Sequence, residues 1–216
     1  MFVIQETLYE SLEKLLGSYV VRPLSVRDSR YGNLNDSVED VAKILITKDG
    51  EELLGQYSNV LLSVIRRDAS YKGQREKVNE GSHASIYKIR VGSGVFAVKE
   101  YRSTGREDGI RQLSKLSELS NAIGQEGIKN LRTPKLYFAS SDTLFMEFID
   151  AQTWKEFIEL HPEKEKKLMD SFYKSGAMLF LTEQSSKGNA DPSHESILVK
   201  PITPESDEYE FILIDQ

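Results

Sequence analysis

The sequence predicts an α+β fold: an antiparallel sheet carrying a helix, followed by a segment of mixed helices and strands and preceded by a mainly helical one. Three observations lead there. Ala84 to Val91 and Val95 to Tyr101 alternate in polarity around Gly92-Ser93-Gly94, a turn rich in residues that tolerate positive φ, so the pair reads as a β-hairpin. Ile110, Leu113, Leu116, Leu119 and Ile123 recur at spacings of three and four, the apolar face of a helix over 106–123. Tyr209 to Asp215 is a strand that ends in an acid.

At 216 residues the chain has room for one large domain or two small ones, and two lobes plus an N-terminal piece are expected. A composition of 39% hydrophobic and 29% charged residues, with no apolar run of bilayer length, reads as soluble without a membrane span. Met1 to Glu6 lacks a basic stretch leading into an apolar segment, so a cytoplasmic address is the default expectation. The absence of cysteine excludes disulfides, thiolate metal sites and thiol nucleophiles. His83, His161 and His194 are too scattered for a metal-ligand motif, and the net charge of -6 argues against nucleic-acid binding. Arg66, Arg67, Lys72, Arg75 and Lys77 form a local basic run, read first as a solvated helix end and linker and second as a phosphate or lipid-headgroup patch.

Taken in order, Leu8, Leu12, Leu15 and Leu16 predict a helix over 5–16 that stops at Gly17. Tyr19 to Val26 has strand composition, and Asp28 to Asp36 reads as a loop. Ser37 and Asp40 form a capping pair for a helix over Val38 to Thr47; Lys48-Asp49-Gly50 then turns the chain into a third helix, 51–68. The polar stretch Asp68 to Glu76 marks the boundary of a bracing or regulatory segment, 1–75. Beyond the hairpin, Thr133 to Phe138 and Thr143 to Ile149 are strands joined by Ser140-Ser141-Asp142. Helices are expected at Trp154 to Leu160 and Glu163 to Gln184, on either side of His161-Pro162.

The chemistry gathers around the hairpin. Glu80-Gly81-Ser82-His83-Ala84 supplies small residues where backbone N–H groups reach a polyphosphate, and Lys99, set among Phe96, Ala97 and Val98, needs an anionic partner. This stretch resembles the nucleotide lobe of the protein-kinase-like superfamily, with its G-x-G-x-x-G-x-V loop and V-A-I-K strand. Phe96-Ala97-Val98-Lys99 matches closely. In the loop, Asn79 takes the first glycine position, Gly81 keeps the second, Ala84 takes the third and Ile86 the valine position. The resemblance implies that Gly81, Ser82, Ala84, Ile86, Ala97 and Lys99 bind nucleotide. Glu118, 19 residues after Lys99, would pair with it, and Glu107 is the second candidate. Met146-Glu147-Phe148-Ile149-Asp150 resembles the hinge after the fifth strand, with Met146 as gatekeeper and the Glu147 carbonyl and Ile149 N–H holding adenine.

Asn189 to Val199 resembles the catalytic loop H-x-D-x-x-x-x-N-I-L-V of atypical kinases, including RIO kinases and lipopolysaccharide-core sugar kinases. By that resemblance Asp191 orients the acceptor hydroxyl and takes its proton, and Asp215 is the main magnesium ligand. Ser196 stands where the family has a magnesium-binding asparagine, and it is the shorter and poorer ligand. Asn189 replaces a largely structural histidine. The implied fold is protein-kinase-like: a nucleotide lobe over 76–149, with an antiparallel sheet and C-helix, and a reduced second lobe over 150–216. The chain stops at Gln216, which the resemblance reads as a minimal member or a fragment. The expected function is ATP- and magnesium-dependent phosphoryl transfer to a hydroxyl of a protein or a small molecule. The alternatives are a pseudokinase that binds nucleotide or a partner, and a non-kinase adaptor with no nucleotide affinity.

Overall fold

A computed structural model describes residues 20–23, 43–81, 83–102, 109–188, 190, 193–203 and 206–214. The expected helix over 5–16 and loop over 28–36 lie outside these residues. The chain forms two compact units, Met1–Ser114 with Lys135–Phe148, and Lys115–Pro134 with Ile149–Gln216.

The first unit is built on seven strands: β1 (Val20–Pro23), β2 (Lys43–Ile46), β3 (Glu76–Glu80), β4 (Ala84–Val91), β5 (Gly94–Tyr101), β7 (Leu136–Ser140) and β8 (Thr143–Glu147). Their order across the sheet is β1-β2-β7-β8-β5-β4-β3. The β4–β5 hairpin has the expected register, from Ala84 opposite Tyr101 to Val91 opposite Gly94. Every pairing is antiparallel except β1 with β2.

The expected helix over Val38 to Thr47 is overturned at its C-terminal half, where β2 lies inside the sheet, paired with β1 on one side and β7 on the other. Ile44, Leu45 and Ile46 are all buried. Three consecutive buried residues suit a strand covered on both faces, and so short an apolar run carries no period that separates helix from strand. Thr47 caps the first described helix: its hydroxyl accepts from the Gly50 amide at 3.1 Å and opens α1 (Lys48–Arg66) three residues earlier than expected.

Leu54, Leu61, Val64 and Ile65 of α1 pack on Ile44, Ile89, Val91, Phe96, Val98, Phe138 and Phe145 of the sheet. The Phe138 and Phe145 rings stack at 4.8 Å, 6° from parallel. Within the basic run, Arg66, Lys72 and Lys77 are exposed, as a solvated helix end and linker requires, whereas Arg67 and Arg75 are half-buried and engaged with the sheet. Arg67 ends α1 in the left-handed conformation (φ 50°) and donates from Nε and Nη2 to Thr143 Oγ1 at 3.3 and 3.1 Å, while its Nη2 also donates to the Asp142 carbonyl. A short helix α2 (Ala69–Gln74) places Tyr71 in the core, where its hydroxyl donates to Glu100 at 2.7 Å. Burial and the Glu100 carboxylate raise the Tyr71 phenol above its ordinary pKa. Arg75 pairs with Glu100 and lies over the Tyr87 ring at 4.0 Å.

Helix α3 (Gly109–Glu126) carries the expected buried face. The division between the units falls within it, after Ser114. The second unit has a four-stranded sheet, β6 (Leu131–Arg132), β11 (Tyr209–Leu213), β10 (Ile197–Pro201) and β9 (Gln152–Thr153), in that order. Helix α4 (Trp154–Leu160) starts with a capping box between Thr153 and Glu156. The single helix expected over Glu163 to Gln184 is three pieces: a 3-10 turn (Pro162–Lys164), α5 (Glu165–Lys174) and α6 (Ala177–Ser186). Gly176, at φ 81°, makes the break, because it adopts a left-handed conformation that costs a side-chain-bearing residue energy. Trp154, Phe172 and Phe211 form the aromatic centre of this unit, with Trp154 to Phe172 at 4.9 Å and Phe172 to Phe211 at 4.8 Å. Among the described residues no helix is long and apolar enough to cross a membrane.

Residues 43–71 thus share one core with the hairpin. Leu61→Ala should destabilise the protein by about 2–5 kcal/mol, whereas Leu179→Ala, at a position 78% exposed, should stay within about 0.5 kcal/mol. Urea denaturation of the two variants checks this, and equal midpoints would contradict it.

Candidate functional site

Side chains alternate along β5. Phe96 and Val98 enter the core under α1, so Ala97, Lys99 and Tyr101 occupy the other face. Lys99 stands opposite Ile86 of β4 and Leu144 of β8; Ala97 stands opposite Lys88 and Met146; Tyr101 stands opposite Ala84. Five candidates from sequence, Ala84, Ile86, Ala97, Lys99 and Met146, therefore share one surface of one sheet. Lys99 is only 5% exposed, and its ammonium lies 5.1 Å from the centroid of the Tyr101 ring. A cation so buried is stable only with ionic, hydrogen-bonded or cation–π compensation. Further along the same face, the Lys88 ammonium sits 4.6 Å over the ring of Phe148, a contact that sequence reasoning did not find.

Between β3 and β4 the loop closes on itself. The Gly81 amide donates to the Ala84 carbonyl at 2.9 Å, and the His83 carbonyl accepts from the Arg102 amide at 2.9 Å. Gly81 therefore spends its N–H inside the turn. A Cβ there would meet only the Ala84 carbonyl, at 3.6 Å, so space does not impose glycine. Glu80 is bridged by Lys77 and Arg102; the hydrogen-bonded Lys77 ammonium, with Arg102 adding, holds its carboxyl below the usual range. Ser82 lies outside the described residues.

At the far end of β8, Met146 is buried and Glu147 is locked to the start of β7. Its amide donates to the Lys135 carbonyl at 2.8 Å, and its carboxylate accepts from the Lys135 amide at 3.0 Å. Sequence alone gives a role only to the Glu147 backbone; in the structure its side chain fixes the strand end. Ile149 is half-buried, and its carbonyl accepts from Ala151 at 3.1 Å.

In the second unit Ser196 is buried, at 6% exposure, just before β10. Its hydroxyl lies 2.7 Å from that of Ser193, its amide donates to the Ser193 carbonyl at 3.0 Å, and its carbonyl accepts from Ile214 at 3.0 Å. Residues 196 and 214 are thereby tied across the β10–β11 hairpin. Asp215 comes directly after Ile214 in the chain, but Asp215, Asp191, Asn189 and Glu107 all lie outside the described residues. Ser193 leads into a turn steadied by His194, stacked 5.2 Å from Trp154, and by Glu195, paired with Lys155 at 2.8 Å. This stacking role of His194 has no signal in the sequence. On α3, Glu118 is exposed, whereas Gln112, Leu116 and Leu119 are buried. Among the described residues no three His, Asp or Glu side chains gather as a metal site.

No known protein family matches the sequence, and no curated protein matches it. Among solved structures, the BubR1 kinase domain aligns with 97% of this chain at 12% identity and a TM-score of 0.44; this chain spans 57% of the length of that one.

The Glu147 lock yields a test. Glu147→Ala should lower the urea midpoint by an amount matching about 1–2 kcal/mol, and Glu147→Gln, whose amide oxygen still accepts from Lys135, should recover most of it. Equal losses in the two variants would remove the hydrogen bond from the account.

Proposed function

We propose that this chain is a protein-kinase-like, ATP-dependent phosphotransferase that passes the γ-phosphate to a hydroxyl of a protein or a small molecule. The observation that carries this reading is the buried Lys99 ammonium on a sheet face shared with Ile86, Ala97 and Met146. A cation shielded from water attracts phosphate oxygens far more strongly than an exposed one. The neighbouring groups suit the rest of a nucleotide: Ile86 and Met146 offer apolar surface, and the single methyl of Ala97 leaves room for a flat base. β8, the fifth strand of this sheet counting from Glu76, leads into the Glu147 to Ile149 linker, whose backbone groups would pair with the adenine edge.

For the transfer step, Asp191 would accept the proton of the attacking hydroxyl, and Lys99 would hold the phosphate chain in line. Asp215 and Ser196 would hold magnesium, which when bound neutralises charge between the phosphates. The donor set fits magnesium only in part, because the Ser196 hydroxyl is already engaged with Ser193. That observation favours a second reading, in which the protein binds nucleotide as a pseudokinase without transferring phosphate.

Mg·ATP should raise the melting temperature, since a ligand selective for the native state adds about 2.7 kcal/mol at one hundred times Kd. Lys99→Met should abolish most of the shift; no shift in the folded wild-type chain would overturn the nucleotide reading.

The two readings part over transfer. Asp191→Ala should keep the ATP-dependent shift and lose phosphorylation of any acceptor, while Ser196→Asn should raise transfer by restoring an amide ligand. A wild-type protein that binds ATP but labels neither itself nor a panel of protein and sugar acceptors is the pseudokinase.

A further inference from the structure

Along α3, Gln112, Leu116, Leu119 and Ile123 recur at intervals of four, three and four and form one buried line. Gln112 is its polar member. The residue is 2% exposed, and its Nε2 has no hydrogen-bond partner among the described residues. A donor buried and unpaired is unfavourable, so a leucine of similar volume would serve a purely structural position better.

Gly109 to Ser114 belong to the same compact unit as the seven-stranded sheet. They are tied to it where the Gly109 amide donates to the Ser141 carbonyl at 3.2 Å, with a Cβ at Gly109 excluded by the Thr143 carbonyl 2.2 Å away. Thr143 precedes Leu144, the cross-strand neighbour of Lys99. The opposite face, with Phe96, Val98 and Phe145, is already filled by α1. We infer that Gln112 is a further ligand-binding residue, whose Nε2 donates to an anionic oxygen of the ligand held at Lys99. Under the proposed kinase-like function, on which this rests, that oxygen belongs to the phosphate chain of a nucleotide. Glu118, six residues on, lies about 120° round the helix from Gln112 and is exposed.

The test is Mg·ATP affinity, by calorimetry and thermal shift, in the full chain and three variants. Gln112→Leu should fold with a melting temperature at or above that of the parent and bind Mg·ATP about tenfold more weakly, the loss expected for one hydrogen bond to a charged oxygen. Gln112→Glu should bind at least as weakly, because it replaces a donor with a negative charge. Ser114→Ala, on a different side of the same helix, should bind like the parent. Should Gln112→Leu fail to fold, Gln112→Met replaces it. Parental affinity in the apolar variant overturns the inference, and so does tighter binding by Gln112→Glu, which would make the side chain an acceptor toward Lys99. A parent that binds no Mg·ATP overturns the nucleotide reading and this inference with it, whereas a binding parent with an indifferent Gln112 overturns the inference alone.

Discussion

An ammonium group held out of water in the middle of a sheet is the constraint that most of the first unit serves. Lys99 must be flanked by strands on both sides, so β4 and β8 bring Ile86 and Leu144 against it, and the register of both pairings has to be fixed. A slip of one residue would send Lys99 into the aromatic core and bring Val98 to the polar face. What prevents the slip is the other face of β5. Phe96 and Val98 are locked among Ile89, Phe138 and Phe145, where the Phe96 and Phe145 rings stack at 5.2 Å. The polar site and the apolar core are thus two sides of one strand, and stability on one side sets geometry on the other.

Residues N-terminal to the hairpin complete that core. Without α1 and β2, Phe138 and Phe145 would face water, and β7 would become a sheet edge. Arg67 shows how a charge can be structural: its left-handed backbone stops the helix, and its guanidinium reaches the β7–β8 turn at Asp142 and Thr143. At one edge of the described sheet, β3 is made of five exposed residues, Glu76, Lys77, Val78, Asn79 and Glu80, and its charges discourage pairing with a further strand.

Periodic elements could be read from sequence; elements defined by their neighbours could not. The β4–β5 hairpin and the α3 face carry patterns of two and of three to four residues that local chemistry enforces. β2 carries no such pattern, because a strand buried on both faces looks like a fragment of a buried helix until its partners are known. The break at Gly176 was visible as a glycine but not as a stop, since apolar spacing continues through Leu168, Phe172, Met178 and Leu181. At the site, Ile86 was legible through the resemblance of its loop, whereas Leu144, the other residue opposite Lys99, was not. Nor was Gln112, because an amide within an apolar stripe reads as a surface residue until its burial is measured. The same limit applies to Glu118, whose distance along the chain said nothing about which side of the helix it occupies.

The second unit solves a different positioning problem with the same tool. Ser196 and Ile214 are 18 residues apart in sequence, and the segment joining them includes a polar turn of no fixed pattern. Their separation is nevertheless set by the β10–β11 register, in which Ile197 opposes Leu213 and Pro201 opposes Tyr209. Burial of Ile197, Val199, Phe211 and Leu213 around Trp154 makes any other register expensive, so the loop between the strands can vary while the hairpin base stays fixed. Ser196, just before that base, shares in it: its carbonyl accepts from the Ile214 amide, and its own amide and hydroxyl are held by Ser193. The backbone position of Ser196 is therefore set by the hairpin register, whatever side chain stands there.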